Sequence, residues 1–190
     1  MKLVFLLEEK STKVLLDQLL PRILPPGTDF QTIPHEGKSD LKKSLQIKLE
    51  KWNEPDVRFV VIQDQDSNDC KKLKTELKTI CDHSGKEVLV RIACHEMEAW
   101  YFGDLNAVSQ AYGKGLTNLS QKRKYRDPDA IVSPKQELRK LIPEHEQIAG
   151  ARKIAPYMDI NNNRSGSFNM LLSGLRKITE QQKTASECEP

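Results

Sequence analysis

The sequence predicts an α/β fold in which helices flank a four-stranded parallel sheet and a helical C-terminal extension follows. Short apolar runs alternate with amphipathic segments four times before Trp100, a pattern typical of a parallel sheet covered on both faces. The chain has 190 residues, of which 37% are hydrophobic, enough for one domain with a buried core. After Trp100 the strand-like runs stop and helical patterns take over.

The first strand is predicted over residues 2–7, an unbroken apolar run of Leu, Val and Phe. A helix with apolar residues at helical spacing follows, which Ser11 or Thr12 can cap and which ends before Pro25. The segment 29–34 alternates like an outer strand, and an amphipathic helix is predicted over 37–52.

The strongest strand prediction is 57–62, with the sequence VRFVVI. A helix from about Ser67 to Cys81 and a fourth strand over 88–93 complete the alternation. The segments predicted to be helical beyond them are 104–112 (capped by Asp104), a helix opened by Pro134, 145–158 and 167–179, before a polar tail that frays from Glu180.

The predicted domain organisation is an α/β unit over 1–105 and a helical extension over 106–190 packed on it. The net charge of +3 permits contact with nucleic acid without establishing it. No segment resembles a membrane span or a secretory signal, so a cytoplasmic location is predicted. Free thiols are expected because no CxxC pair occurs among Cys70, Cys81, Cys94 and Cys188.

Two aspartates follow the third strand, at positions 64 and 66. Side chains two apart on a strand point to the same side, so Asp64 and Asp66 are predicted to converge at the carboxyl edge of the sheet. Two close carboxylates repel each other unless a cation binds or one is protonated. Mg²⁺ or Mn²⁺ suits such oxygen ligands. The alternative is that Asp66 or Ser67 merely caps the next helix.

Further carboxylates follow the first and fourth strands. Glu8 is predicted to lie at the same edge as the aspartates, although Glu8 and Glu9 could also be a solvated pair at a helix N-terminus. After the fourth strand, we expect Glu98 to face the acids and Glu96 to be peripheral, because residues two apart on a helix do not share a face. A zinc HExxH motif is not complete, since position 99 is Ala.

The segment Asp64-x-Asp66-x-Asn68 imitates the start of an EF-hand calcium loop. Such a loop requires Gly at its sixth position and Glu at its twelfth, where this sequence has Asp69 and Thr75. A strand precedes the segment where an EF-hand has a helix, so the sequence argues against an EF-hand.

Basic residues near the acidic motif are candidates for contacts with a nucleic-acid backbone. Lys71 and Lys74 share a helix face directly after the aspartates, and Lys122, Arg123 and Lys124 form a basic run. The alternative is that these side chains are simply solvated.

Together, a Glu after strand one, a DxD motif after strand three and a compact four-stranded parallel sheet resemble the Toprim fold. More narrowly, the chain resembles a bacterial family of uncharacterised Toprim-like proteins, related to the RloB and overcoming-lysogenization-defect nucleases of phage-defence loci. The matching stretches cover nearly the whole chain and include LLEEKSTK at 6–13, HEGKSDL at 35–41, FVVIQDQDSNDC at 59–70, VRIACHEMEAWYFGDLNAV at 90–108 and DPDAIVSPKQEL at 127–138.

The resemblance implies a Toprim-like sheet and Mg²⁺-dependent endonuclease cleavage of phosphodiester bonds. It implies that Glu8, Asp64 and Asp66 are metal ligands and catalytic acids, with Glu98 as a fourth catalytic residue. DNA and RNA both remain open as the substrate, as does a homo-oligomer. An ABC-type or AAA ATPase partner is implied because relatives lie beside such ATPases, and this sequence has no P-loop of its own.

The sequence departs from the Toprim pattern at Glu9, where Gly is common, and at Thr12, where a second acid often falls. Three alternatives therefore stay open. The first is a non-catalytic, metal-stabilised subunit that binds a partner. The second is a haloacid-dehalogenase-like phosphatase with Asp64 as nucleophile, although its motif normally follows the first strand. The third is a receiver domain, although no fifth strand ending in Lys is evident.

Overall fold

The computed structural model describes residues 1–186, and side chains through residue 180. The strands and the helices between them are β1 (Lys2–Leu7), α1 (Lys10–Ile23), β2 (Asp29–Pro34), α2 (Lys38–Lys51), β3 (Val57–Asp64), α3 (Cys70–Asp82) and β4 (Val88–Ala93). The α-helices that follow, joined by short 3-10 turns, are α4 (Ala99–Gly103), α5 (Leu105–Tyr112), α6 (Pro134–Leu141), α7 (Gln147–Ile154) and α8 (Gly166–Ser186).

The four strands form one parallel sheet in the order β2-β1-β3-β4, which confirms the predicted fold class. Helix α1 packs on one face of the sheet, whereas α2 and α3 pack on the other. The direction of winding therefore reverses between β1 and β3. In open α/β sheets, a crevice at the carboxyl ends of the strands opens at such a reversal, and ligands bind there.

Two hydrophobic clusters lie on the two faces of the sheet. Successive side chains of a strand point to opposite faces, so alternate residues of β1 belong to different clusters. Phe5 lies in one cluster and Leu6 in the other. The cluster around Leu6 is covered by α2 and α3. The cluster around Phe5 contains residues of α1 and also Trp100 and Phe168, so the C-terminal helices share a core with the sheet.

Two helix starts differ from the prediction. Helix α3 begins at Cys70 and not near Ser67, because the side chain of Asp69 accepts a hydrogen bond from the backbone N–H of Lys72 at 2.8 Å and so caps the helix. Helix α1 begins at Lys10, so neither Ser11 nor Thr12 is its N-cap.

Other predicted boundaries are confirmed. Asp104 caps α5 by accepting from the backbone N–H of Ala107 at 3.0 Å, and Pro134 opens α6. Helix α8 continues past Glu180, where fraying was expected, to Ser186. The rest of the predicted frayed tail, residues 187–190, lies outside the described residues.

Cys70, Cys81 and Cys94 are free thiols, as predicted, whereas Cys188 lies outside the described residues. Among the helices of residues 1–186, none is long and apolar enough to cross a membrane.

Candidate metal centre

Glu8 and Asp64 lie together at the carboxyl edge of the sheet, in the crevice between β1 and β3. Glu8 directly follows β1 and Asp64 is the last residue of β3. The Oε2 atom of Glu8 accepts a hydrogen bond from the backbone N–H of Asp64 at 3.0 Å, and both side chains are buried. The predicted proximity of these two acids is therefore confirmed.

Glu98 completes the buried part of the cluster. It is only 1% exposed and stands at the N-cap of α4, which begins at Ala99. After burial itself, the charge of Glu98 is the largest cause that raises the pKa of Asp64. Glu96 points elsewhere, since its Oε2 accepts from the backbone N–H of Lys135 at 2.8 Å. Glu98 therefore interacts with Asp64, as expected, although neither Glu96 nor Glu98 lies within α4 and the charge of Glu96 also raises the pKa of Glu98. The catalytic role of Glu98 stays a prediction.

Asp66 does not project beside Asp64, contrary to the expectation drawn from strand periodicity. The strand ends at Asp64, and Asp66 has a left-handed backbone with φ of 51°. Its N–H donates to the carbonyl of His95 at 2.7 Å, and its Oδ2 lies 3.0 Å from Nζ of Lys38. Asp66 stays close enough for its charge to raise the pKa of Glu8. It therefore forms the open side of the site.

Burial of like charges dominates the electrostatics. Desolvation is the largest cause that raises the pKa of Glu8, Asp64 and Glu98, and the pKa of Glu98 rises to about 7. For Asp64 the pKa lies well above its usual range, and the charges of Glu98, Glu8 and Glu9 add to the effect of burial. These acids cannot all be ionised together without a positive counter-charge.

Helices of the C-terminal region supply polar partners to the acids. The Nε2 of Gln147, the first residue of α7, donates to Glu9 at 3.1 Å and to Glu98 at 3.4 Å. The Nζ of Lys135 lies 3.9 Å from Oε1 of Glu9, and its positive charge lowers the pKa of Glu98 against the effect of burial. Neither residue could be predicted from the sequence, because a Lys and a Gln near helix starts carry no recognisable motif.

A sequence profile of the family described as "Domain of unknown function (DUF4276)" matches residues 7–176. The chain belongs to the DUF4276 family. No curated protein and no solved structure matches the chain. The matched range includes Glu8, Asp64 and Glu98 and also Lys135 and Gln147, so the acids and their helical partners fall within one family domain.

A buried hydroxyl adjoins the acids of this DUF4276 protein. Tyr101 is 1% exposed, and its hydroxyl has no hydrogen-bond partner among the described residues. Burial and then the charge of Glu98 raise its pKa well above the usual range. Tyr101 therefore stays a neutral hydrogen-bond donor at working pH.

The donor set of the DUF4276 site fits a hard divalent cation by its chemistry. Its ligating atoms are carboxylate oxygens, which Mg²⁺ and Mn²⁺ accept, and a cation would relieve the repulsion that raises the pKa values of Glu8 and Asp64. Among the described residues, no three His, Cys, Asp or Glu side chains are already gathered in the geometry of an ion site. Binding there requires carboxylate side chains to rotate toward a common point.

The basic residues predicted to contact nucleic acid lie in two separate places. Lys71 and Lys74 are in the first turns of α3, on the face of the sheet covered by α2 and α3. The run 122–124 lies next to Tyr125, which belongs to the hydrophobic cluster on the opposite face. Within that run, Nζ of Lys124 pairs with Oε1 of Glu137 at 2.6 Å. The DUF4276 fold therefore does not join the two groups into one patch.

Proposed function

We propose that this DUF4276 protein is a Mg²⁺-dependent Toprim-type nuclease that cleaves phosphodiester bonds of a nucleic acid. The observation that carries the proposal is the burial of Glu8, Asp64 and Glu98 together at the crevice between β1 and β3. Burying like charges costs free energy, and strongly perturbed carboxylates in a cleft are typical of functional sites. Helix capping does not account for them, because Asp69 caps α3 and Glu98, the N-cap residue of α4, makes no side-chain capping hydrogen bond with the described residues.

Glu8, Asp64 and Asp66 would hold the ion. When bound, Mg²⁺ polarises a phosphoryl oxygen and lowers the pKa of a coordinated water. The hydrogen bond from the Asp64 backbone to Oε2 of Glu8 fixes one of the two carboxylate oxygens of Glu8 and orients the other. Asp66, with 36% of its side chain exposed, lies where a substrate phosphate can approach.

Glu98 is the residue best suited to move a proton. A carboxyl group with a pKa of about 7 both accepts and releases protons near neutral pH, as a general acid or base must. Its partner Gln147 holds Oε1 in place through a hydrogen bond of 3.4 Å. Lys135 supplies a positive charge near Glu98, and the neutral hydroxyl of Tyr101 supplies a hydrogen-bond donor.

The nucleic-acid substrate and the partner are part of the same proposal. Lys71 and Lys74, just beyond the aspartates, supply phosphate contacts on one side, and Lys122, Arg123 and Lys124 supply a second basic surface. The resemblance to Toprim proteins of phage-defence loci supports a defence role with an ATPase partner encoded nearby.

The direct test is cleavage of supercoiled plasmid DNA, single-stranded DNA and single-stranded RNA in Mg²⁺ or Mn²⁺, with and without the ATPase encoded next to the gene. We expect wild type to cleave one of these substrates, EDTA to stop cleavage and Asp64→Asn to be inactive. The charge-matched control is Glu50→Gln, which removes an exposed carboxylate at the far end of α2 and should leave cleavage unchanged.

Cleavage by Asp64→Asn at the wild-type rate would contradict the proposal. Wild type that binds the ATPase but cleaves none of the substrates would favour a non-catalytic subunit. A stable acyl-phosphate on Asp64 would instead indicate a phosphatase.

A further inference from the structure

A cleft of about 350 Å³ opens directly beside the acidic cluster, with Glu9 common to both. Its walls come from the start of α1, the loop between β2 and α2, and the start of α7. None of the metal-site roles proposed above uses this cleft. Its volume suits a group of the size of a nucleotide or smaller.

Three helix N-termini meet at this cleft, those of α1, α2 and α7. Their N-cap residues are Glu9, Gly37 and Glu146, and within the part of the chain that the structure describes none of these makes a side-chain capping hydrogen bond. The first N–H groups of a helix have no carbonyl partner within it, and the helix dipole adds partial positive charge there. Each N-terminus favours an anion, and three at one cleft reinforce one another.

A buried histidine in the wall of the cleft has an unpaired nitrogen. His35 is 5% exposed, and its Nδ1 lies 2.9 Å from the carbonyl oxygen of Leu7, so Nδ1 carries the hydrogen of that bond. Its Nε2 has no hydrogen-bond partner among the described residues. Leaving a buried polar atom unpaired costs free energy, which a ligand in the cleft can recover.

The acidic side chains of the cleft are already engaged. Glu9 accepts hydrogen bonds from Oγ of Ser11 and from Gln147, both at 3.1 Å, and Glu36 pairs with Lys10 at 2.7 Å. Their charges are thus partly compensated, while the N–H groups in the first turn of α2 remain available. The chemistry of the cleft therefore matches a phosphate group, which accepts from N–H donors and, as a hydrogen phosphate, can donate to Nε2.

We propose that this cleft binds a phosphate group of the nucleic-acid strand whose phosphodiester bond is cleaved at the neighbouring acidic cluster. The proposal rests on the proposed nuclease function and specifies how the strand is placed. The phosphate is the terminal phosphate of the strand, because a phosphomonoester can carry the hydrogen that Nε2 of His35 accepts, whereas an internal phosphodiester has none.

The test compares Lys38→Pro with Lys38→Ala. Lys38 is the first residue of α2, a position that accepts proline, and the extended ψ of 178° at Gly37 is compatible with a following proline. Both variants lose the Lys38 side chain, but only Lys38→Pro also loses the backbone N–H. We measure the binding of inorganic phosphate and of 12-nucleotide strands with and without a 5′-phosphate. The measurements are made in EDTA, where cleavage does not occur. Thermal melting checks that each variant is folded.

We expect wild type to bind inorganic phosphate and Lys38→Pro to bind it roughly tenfold more weakly than Lys38→Ala, the scale of one hydrogen bond to a charged group. His35→Asn keeps a donor for Leu7 and removes Nε2, so it should also weaken binding. A tenfold preference for the 5′-phosphorylated strand that Lys38→Pro abolishes supports the terminal phosphate. Equal affinity of wild type for the two strands, or equal loss for both in Lys38→Pro, would contradict it.

Equal phosphate binding by wild type, Lys38→Ala, Lys38→Pro and His35→Asn, or no binding by wild type, would overturn the proposal. Failure of the nuclease proposal is distinguishable, because phosphate binding is measured without cleavage. A protein that binds phosphate at the start of α2 but cleaves no nucleic acid keeps the cleft as a phosphate site and loses its role in placing a scissile strand.

Discussion

The raised pKa of Glu98 predicts how the stability of the metal-free protein changes with pH. In the unfolded chain a glutamate carboxyl ionises near 4.5, whereas in the folded protein burial raises the pKa of Glu98 to about 7. Between these two values the folded state binds more protons than the unfolded state, so the free energy of unfolding falls as pH rises. The stabilising contribution of protonated Glu98 is complete below pH 4.5 and is lost above pH 7. Asp64 and Glu8, whose pKa values are also raised, act in the same direction.

The size of the effect follows from the two pKa values. The difference between 4.5 and about 7 corresponds to about 3 kcal/mol of unfolding free energy, at about 1.4 kcal/mol per pH unit. Glu98→Gln keeps the size of the side chain and removes the charge. It should therefore be more stable than wild type by about 3 kcal/mol at pH 8.5, or roughly 6 to 12 °C in melting temperature, and nearly equal to wild type near pH 4.5.

The assay is thermal unfolding in EDTA from pH 4.5 to 8.5, followed by circular dichroism. Glu96→Gln is the matched control, because it removes a carboxylate from the same turn while its amide oxygen can still accept from Lys135. We expect the control to stay close to the wild-type pH profile, because the charge of Glu96 is only a minor cause that raises the pKa of Glu98, and Glu98→Gln to depart from it progressively above pH 5. Parallel profiles for wild type and Glu98→Gln, or a less stable Glu98→Gln at pH 8.5, would refute the reasoning.

Three further predictions address the metal, the helical partner and a helix cap. Asp64→Asn should lose most of the Mg²⁺-dependent rise in melting temperature, which for wild type corresponds to roughly 2.7 kcal/mol at a hundredfold excess over Kd; a wild-type curve indifferent to millimolar Mg²⁺ and Mn²⁺ would contradict this. Gln147→Leu removes the donor to Glu9 and Glu98 and should lower kcat about tenfold or more with little change in KM, whereas an unchanged kcat would show that the link is dispensable. Asp104→Ala should cost at least about 1 to 2 kcal/mol in urea unfolding, because it uncaps α5 and also removes Oδ2, which accepts from the backbone N–H of Asp159 at 2.7 Å. Asp104→Asn keeps one acceptor oxygen for the cap and should recover only part of that loss; equal stability of the two variants would argue against the cap.

The sheet could be predicted from the sequence because its signals are local. The bounds of β1, β2 and β4 match the predicted runs, and β3 extends two residues beyond the predicted 57–62 to Asp64. That extension places Asp64 at the end of the strand, where its backbone N–H reaches Glu8. The position of Glu8 also followed from the sequence, since parallel strands end at a common edge.

The parts that could not be predicted depend on turns and on distant contacts. The segment 64–69 contains three aspartates, and composition alone did not indicate that Asp69 would cap α3 while Asp66 turned toward Lys38 through a left-handed backbone. Gln147 is 49 residues from Glu98 and 138 from Glu9, and no local pattern relates residues at such separations. The packing of α7 against α1 brings Gln147 to Glu9, at the N-cap of α1.

The bridge formed by Gln147 has a consequence for the order in which the protein is made. Synthesis proceeds from the N-terminus at roughly 5 to 20 residues per second, and an N-terminal region can begin to fold as it emerges. The 49 residues between Glu98 and Gln147 therefore take roughly 2 to 10 seconds to translate. During that interval the nascent chain carries all of its site carboxylates without the amide that joins two of them. The acidic site is thus assembled late on the ribosome, after the sheet that carries most of it has been synthesised.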